Sequence, residues 1–248
     1  MATVEVHHQE INKNLKHWRR KPVLREIYRG FHRIIAFHLS NHPLHSIVEL
    51  GSGVADIRDV IPGCLRTDLF PNPWIDRVEN AYDLSFADES ISDLILFDVF
   101  HHLRYPGAAL QEFQRVLPIG GRVLVFEPYI SLFGLVVYGL LHEEPLGLKA
   151  PIPWEAPPHW NPADLDYYAA QANATRIFVR RVIDIQPPGW NLITVKRLCS
   201  FSYVFSGGYS RPQLYPFWAL RAIQSLDKMF SGLPQVFGTR LLTVLEKA

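Results

Sequence analysis

Cysteine is nearly missing from this chain: its 248 residues hold two, Cys64 and Cys199, far apart. Two isolated thiols make neither a disulfide framework nor a cysteine-based zinc site, and they point to a reducing, cytoplasmic compartment. Neither sign of charge is in surplus: the formal net charge is +1, which disfavours broad electrostatic capture of nucleic acid. Long apolar runs are missing as well. The longest, Ile130 to Leu141 (ISLFGLVVYGLL), has twelve residues, whereas a spanning helix needs ~20. The opening MATVEVHHQEINKNLKHWRR lacks the apolar core of a signal peptide, and no internal repeat is detectable. What the chain does have is 48% hydrophobic residues, the composition of a globular protein with a real core, in a length that suits one large domain.

The pattern along the chain is helical first. Leu24, Ile27, Tyr28, Phe31, Ile34, Ile35 and Leu39 recur in steps of three and four, which predicts an amphipathic helix stopped by Asn41 and Pro43. Then short apolar runs alternate with polar connectors. SIVEL, CLRTDLF, a weak VENAYD, SDLILFDVF and GRVLVFEP read as strands without strict alternation, as in a parallel sheet covered on both faces. A helix opening at Pro106 lies between the last two, with Ala109, Leu110, Phe113, Val116 and Leu117 on one face. After Pro128 aromatics and prolines dominate. NPADLDYYAAQANA reads as a helix with Asn161 as cap. TRIFVRRVIDIQ, LITVKRL and FSYVFSGG read as strand-like, residues 217–230 as helical, and RLLTVLEK as a final strand. This divides the chain into an N-terminal helical cap (1–43), a core (44–128), an aromatic and proline-rich lid or insertion (129–160) and a part completing the sheet (161–248), within one domain.

The first strand ends in a loop, VELGSGVAD, in which Glu49 precedes Gly51 and Gly53. In a doubly wound sheet, ligands gather at the carboxyl ends of the strands. The dinucleotide fingerprint requires a small residue at position 56, where Asp56 stands, and a triphosphate loop requires Gly-Lys-Ser/Thr, which is missing. Glu49 would repel a polyphosphate but suits a ligand carrying ammonium and sulfonium charge. Asp68, at the end of the second strand, can accept hydrogen bonds from vicinal ribose hydroxyls. The glycines let backbone approach ligand without a Cβ between them.

VELGSGVADI, followed by RTDLF, NAYDLSFADESISDLILFDVFHHL and LQEFQRVLPIGGRVLVFEP, resembles the class I S-adenosylmethionine-dependent methyltransferases, and within them the type 11 subgroup. The resemblance spans about residues 45–130. It implies a Rossmann-like α/β fold: a seven-stranded, mostly parallel sheet with helices on both faces and an antiparallel last strand. It implies S-adenosyl-L-methionine as cofactor, with Glu49, Gly51, Ser52 and Gly53 along its methionine and ribose part. Asp68 would hold the ribose hydroxyls, Leu69 would lie against adenine, and Ala81 would present its N–H to the ring. Asn80 stands where the family commonly has Asp, and Phe97 would lie beside the methionine moiety.

Methyl transfer from a sulfonium needs alignment and exclusion of water more than catalytic side chains. Asp98, His101 and His102, after the fourth strand, are the candidates for removing an acceptor proton; capping or packing of that loop is the other reading. No further ligand stands at metal-site spacing from the histidine pair, so the sequence predicts no metal site. His142, Glu143 and Glu144 form a second polar cluster that either orients an acceptor or ends a solvated helix. Tyr129, Phe133, Tyr138, Trp154 and Trp160 make an apolar or ring-containing small molecule the expected acceptor. The run at 130–141 is expected to be buried, with contact to lipid as the alternative. The asparagine/aspartate-Pro-Pro-aromatic signature of nucleic-acid amino methylation is missing; QPPGW at 186–190 is not that motif. A non-catalytic module that keeps the fold is the alternative to an enzyme.

Overall fold

The computed structural model describes residues 4–164, 167–182 and 189–248. Two helices open the chain, α1 (Val4–Arg20) and α2 (Pro22–Ala36). Pro22 starts α2 where a missing N–H costs nothing. Its buried stripe of Val23, Leu24, Ile27, Tyr28, Phe31 and Ile35 lies on one face of the sheet.

The sheet strands are β1 (Ile47–Leu50), β2 (Leu65–Asp68), β3 (Arg77–Val78), β4 (Asp93–Phe97), β5 (Arg122–Pro128), β6 (Trp190–Cys199) and β7 (Gly238–Lys247). Their order is β3-β2-β1-β4-β5-β7-β6. β7 runs antiparallel between β5 and β6, and the strands from β3 to β5 pair in parallel. The expected seven-stranded sheet with an antiparallel last strand is therefore present. Alternate residues serve opposite faces. Val48, Leu50, Leu94, Leu96, Val123 and Val125 pack with α3 (Pro106–Val116), while Ile95, Phe97, Leu124, Phe126, Leu242 and Val244 pack with α2. The link from β1 to β2 carries only a 3-10 turn, Ile57–Asp59, capped by the Asp56 carboxylate. Among the described residues no helix is long and apolar enough to cross a membrane.

Several expectations after Pro128 need correction. The run at 130–141 contains a regular helix, α4 (Leu132–Leu140), and burial reaches only one side of it. Tyr138 is buried, and Leu132, Val136 and Leu140 are exposed. Residues 161–164 form a turn in which Asn161 caps Ala163, and helical backbone begins only at 173; Leu165 and Asp166 lie outside the described residues. TRIFV is a single π-helical turn, Thr175–Val179, and residues 183–188 of the supposed strand and of QPPGW lie outside the description. FSYVFS is helix α5 (Phe201–Ser206), not strand. Its first turn is held by Asp227 of α6 (Leu220–Met229), which accepts from the Ser202 N–H and hydroxyl. Gly207, at φ 72°, ends it, where a Cβ would lie 2.3 Å from the carbonyl oxygens of Arg211 and Pro212. The following loop is tied to the N-terminal helices by Lys21, whose Nζ donates to the carbonyls of Gly208 and Arg211. A short α7 (Pro234–Phe237) leads into β7.

Candidate functional site

β1 lies between β2 and β4, the point where the strand order reverses and where open α/β sheets form their ligand crevice. The loop after β1 turns through Gly51 at φ 68° and Gly53 at φ 52°. Their roles differ. A Cβ on Gly51 would stand 2.4 Å from Val99 Cγ2, so this glycine is required by the neighbouring loop after β4. A Cβ on Gly53 would meet nothing within 4 Å, so its side of the loop is open to a ligand. Gly51→Ala should therefore destabilise the fold by ~1–3 kcal/mol through overpacking and backbone strain. Gly53→Ala should cost ~1–2 kcal/mol in stability, the αL penalty alone, while weakening donor binding. Denaturant melts beside donor titrations of both variants read this split.

Beneath the loop lies Arg66, a residue whose role sequence reasoning missed. It is 1% exposed. Its Nη2 donates to the carbonyls of Ser52, Gly53 and Ala55, and Nη1 donates to that of Trp74. One guanidinium thus fixes the course of the loop from below. An arginine inside an otherwise apolar strand, CLRTDLF, was the available signal. Glu49 faces it, with Oε2 3.7 Å from Arg66 Nε. Both atoms are buried without a hydrogen-bond partner. Burial pushes the Glu49 carboxyl up to about 7, against the pull of Ser52 and the Arg66 charge; Asp56 and Asp68 push the same way as burial. Ser52 links loop to sheet, since its hydroxyl donates to the Glu49 carbonyl and accepts from Thr67 N–H.

Asp68 ends β2 with 7% exposure, its Oδ1 accepting from Leu69 N–H at 2.7 Å. Leu69, next in the chain, and Ala81 are half-buried. Asn80 is engaged by protein: Nδ2 donates to the Pro162 carbonyl and Oδ1 accepts from Tyr82 N–H. Trp160 stands edge-on to Tyr82 and Tyr105, and the Trp154 carbonyl accepts from Gly107 N–H. Residues 154–160 therefore pack against the segment after β3 and the start of α3. Phe97 lies on the α2 side, stacked on Tyr28 at 5.1 Å and against Phe126 at 4.8 Å.

The residues after β4 come together with Glu144, which follows α4. Asp98, at φ 55°, pairs with the buried Arg240 of β7, whose guanidinium lies 4.3 Å from the Tyr203 ring centre. His101 Nδ1 stands 2.6 Å from Glu127 Oε2, and its Nε2 is 3.3 Å from Glu144 Oε2. Glu127, at the end of β5, also accepts from Phe100 N–H. His102 Nδ1 meets the Tyr168 carbonyl at 2.9 Å, and its Nε2 lies 3.7 Å from Glu144 Oε1. Glu144 further accepts from Tyr167 and Gln171. Burial alone would lower the His101 pKa, but the Glu127 and Glu144 carboxylates raise it to about 10. Burial, then the neighbouring His101, lowers His102 to about 4. The His101 bond and charge overcome burial to hold Glu144 at about 2, while burial raises Glu127. The two polar clusters read separately from the sequence, FDVFHHL and LLHEEP, are thus one. Glu143 is exposed, and His142 stands 3.4 Å from Gln171.

The aromatics expected around an acceptor do not gather in one pocket. Tyr138 donates to the Thr239 carbonyl in the interior, and Phe133 packs on Phe201. An apolar groove of about 350 Å³ does open beyond the end of β5, lined by Tyr129, Ile130, Leu132, Leu135, Leu148 and Arg180 among others.

Residues 63–125 match the family model for a methyltransferase domain; the glycine loop precedes the matched segment. No curated protein matches the chain. Among solved structures, a SAM-dependent methyltransferase from Archaeoglobus fulgidus superposes with a TM-score of 0.52 at 11% identity, covering 90% of this chain and 94% of that one. Geranyl diphosphate C-methyltransferase from Streptomyces coelicolor A3(2) gives 0.50 at 14% identity, covering 88% and 77%. A Haloferax volcanii chain in complex with the Trm112 methyltransferase activator gives 0.51 at 16% identity, covering 88% and 90%. Residues 63–125 thus match a methyltransferase domain, and the chain as a whole has the fold of the S-adenosylmethionine-dependent methyltransferases.

Proposed function

We propose that this protein transfers the methyl group of S-adenosyl-L-methionine to a small-molecule acceptor. The observation that carries this reading is the glycine loop at the reversal point of the sheet, open at Gly53, with Glu49 beneath it and Asp68 at the next strand end. The residues fit the donor. Glu49 Oε2, buried without a hydrogen-bond partner, suits the donor's ammonium group, and Asp68 suits the ribose hydroxyls. Ser52, Leu69, Asn80, Ala81 and Phe97 complete the proposed surroundings, Asn80 and Phe97 through positions already packed against protein. The bound donor supplies an activated methyl on sulfonium, so the chain has to position an acceptor and keep water away. His102, half-exposed and held neutral at physiological pH, can accept an acceptor proton; His101 and Asp98 are engaged with carboxylate and guanidinium and orient the loop around it. The apolar groove beside Tyr129 supports an acceptor with an apolar part, its volume falling in the range of small-molecule sites. A second reading, a binding module without transfer, draws on Trp160 and Trp154 closing over Tyr82, Tyr105 and Gly107.

Calorimetric titration with S-adenosylmethionine, with NAD as control, tests the proposal. Saturable binding of the methyl donor alone is expected. No binding by folded protein, or binding of NAD, would overturn the assignment of the loop. Retention of label on the donor across a panel of hydroxyl and amine acceptors would favour the module. The pH dependence adds a sharper expectation. Glu49, facing Arg66, Asp68 and Cys64 on and before β2 and Asp56 and Ser52 on the loop, ionises only as pH rises through about 7. A cationic donor should therefore bind roughly fivefold or more tightly at pH 7.5 than at pH 6. Both values lie below the ~7.7–8.0 at which an α-amino group loses its proton. Glu49→Gln should flatten this dependence; an unchanged slope in that variant would remove Glu49 from the contact.

A further inference from the structure

We propose that His101, His102 and Glu144 form a site for one divalent first-row transition-metal ion. One ligand atom from each of the three lies within 4.8 Å of the others. The Nε2–carboxylate separations are 3.3 Å for His101 and 3.7 Å for His102. Ligands bound at ~2.0–2.2 Å to one ion stand roughly 3–3.5 Å apart; the two Nε2–carboxylate distances, to different oxygens of Glu144, are close to that, and the 4.8 Å spread of the three ligand atoms closes by a side-chain shift of about an ångström.

The surroundings carry the argument further than the distances. His101 Nδ1 faces a carboxylate oxygen of Glu127, and His102 Nδ1 faces the Tyr168 carbonyl. Both partners are acceptors, which assigns a proton to each Nδ1 and directs each Nε2 toward Glu144. Metal-bound histidines are held in this way, by a carboxylate or carbonyl on the far ring nitrogen. The third ligand is oriented too: Tyr167 Oη donates to Glu144 Oε1 and Gln171 Nε2 to Oε2. A hydrogen-bonded proton can occupy the line from His101 Nε2 to Glu144, and an ion that binds there displaces it.

Two imidazoles and one carboxylate are a donor set for zinc or iron(II) that leaves coordination positions open. His101 is buried, while the His102 side chain is 34% exposed, so those positions lie on the His102 side. The cluster stands at the carboxyl ends of β4 and β5, the edge that also carries the glycine loop. An ion there occupies His102 Nε2 and so replaces the free imidazole as the group that acts on the acceptor: it can hold an acceptor oxygen and make its proton easier to remove. That role rests on the proposed methyl transfer; the ion site does not.

The test is titration of the tag-free full chain with Co²⁺, followed by visible d–d absorption, with Zn²⁺ as competitor. One equivalent of Co²⁺ should give an absorption band that Zn²⁺ abolishes. His102→Ala and Glu144→Gln, each shown folded by circular dichroism, should lose the band. Glu144→Gln should still bind S-adenosylmethionine, which separates loss of the ion site from loss of the donor site. Glu127→Gln should retain the band with affinity ~10–100-fold weaker, the scale for removing a partner of a metal-bound histidine. Absence of a stoichiometric band in the wild-type chain would overturn the proposal. So would a band that survives in both His102→Ala and Glu144→Gln, since the ion would then be held elsewhere, as at the His7–His8 pair of the N-terminal segment.

Discussion

Arg66→Met is expected to destabilise the protein by about 3–5 kcal/mol, the scale for removing one partner from a buried charged network. The arginine donates to four backbone carbonyls, those of Ser52, Gly53, Ala55 and Trp74. Methionine fills much of the volume and supplies none of those bonds, leaving buried acceptors at a cost that each can approach ~1–3 kcal/mol. Glu49 limits the loss, because its carboxyl already titrates near 7 and can take up a proton when the positive charge is removed. Guanidinium chloride unfolding should show a lowered midpoint at unchanged slope. Arg66→Lys separates the charge from the fork: an ammonium cannot reach carbonyls in several directions, so the lysine variant should also lose stability and donor affinity. A loss under ~1 kcal/mol for Arg66→Met would mean that water replaces the guanidinium beneath the loop.

Asp68→Ala should weaken S-adenosylmethionine binding by ~1.5–3 kcal/mol, the range for losing hydrogen bonds to a charged group, or roughly 10–150-fold in Kd. Its stability cost should be smaller than that of Arg66→Met. Asp68 accepts from the N–H of its own neighbour, Leu69, and from Asn72 Nδ2, bonds within a local turn that alanine can relax. Asp68→Asn keeps the shape and one acceptor while removing the charge, so its affinity should fall between wild type and alanine. Calorimetric titration alongside thermal melting reads both quantities. Wild-type affinity in Asp68→Ala would take the residue out of the donor site and leave it as a cap on the turn after β2.

Continuous apolar runs told where the buried strands lie, because a parallel strand covered on both faces has no polar side to show. β1, β4 and β5 follow SIVEL, SDLILF and GRVLVFEP closely. The helix stripes of α2 and α3 were legible for the same reason: each buries one side only. Where a segment is short, residue type is a weaker guide than its neighbours. FSYVFS carries the aromatic and β-branched residues of a strand, yet it is a helix because Asp227 satisfies its first turn and Gly207 ends it. TRIFV and the turn at 161–164 belong to the same kind, shaped by packing against the end of β5 and by Asn80 binding the Pro162 carbonyl.

By itself the sequence determined the buried parallel strands, the loop that ends β1 and the carboxylates on either side of it, since these follow from apolar runs, glycines and spacing within a short stretch. Only the tertiary structure decided that Gly51 answers to Val99 and Gly53 to open space, and that Arg66 of β2 braces the loop. It also decided that Glu144 joins His101 and His102 across more than forty residues of chain. The reason is the same in each case. Directional bonds made by buried charge depend on which groups meet in space, and no local pattern of residue types records that meeting.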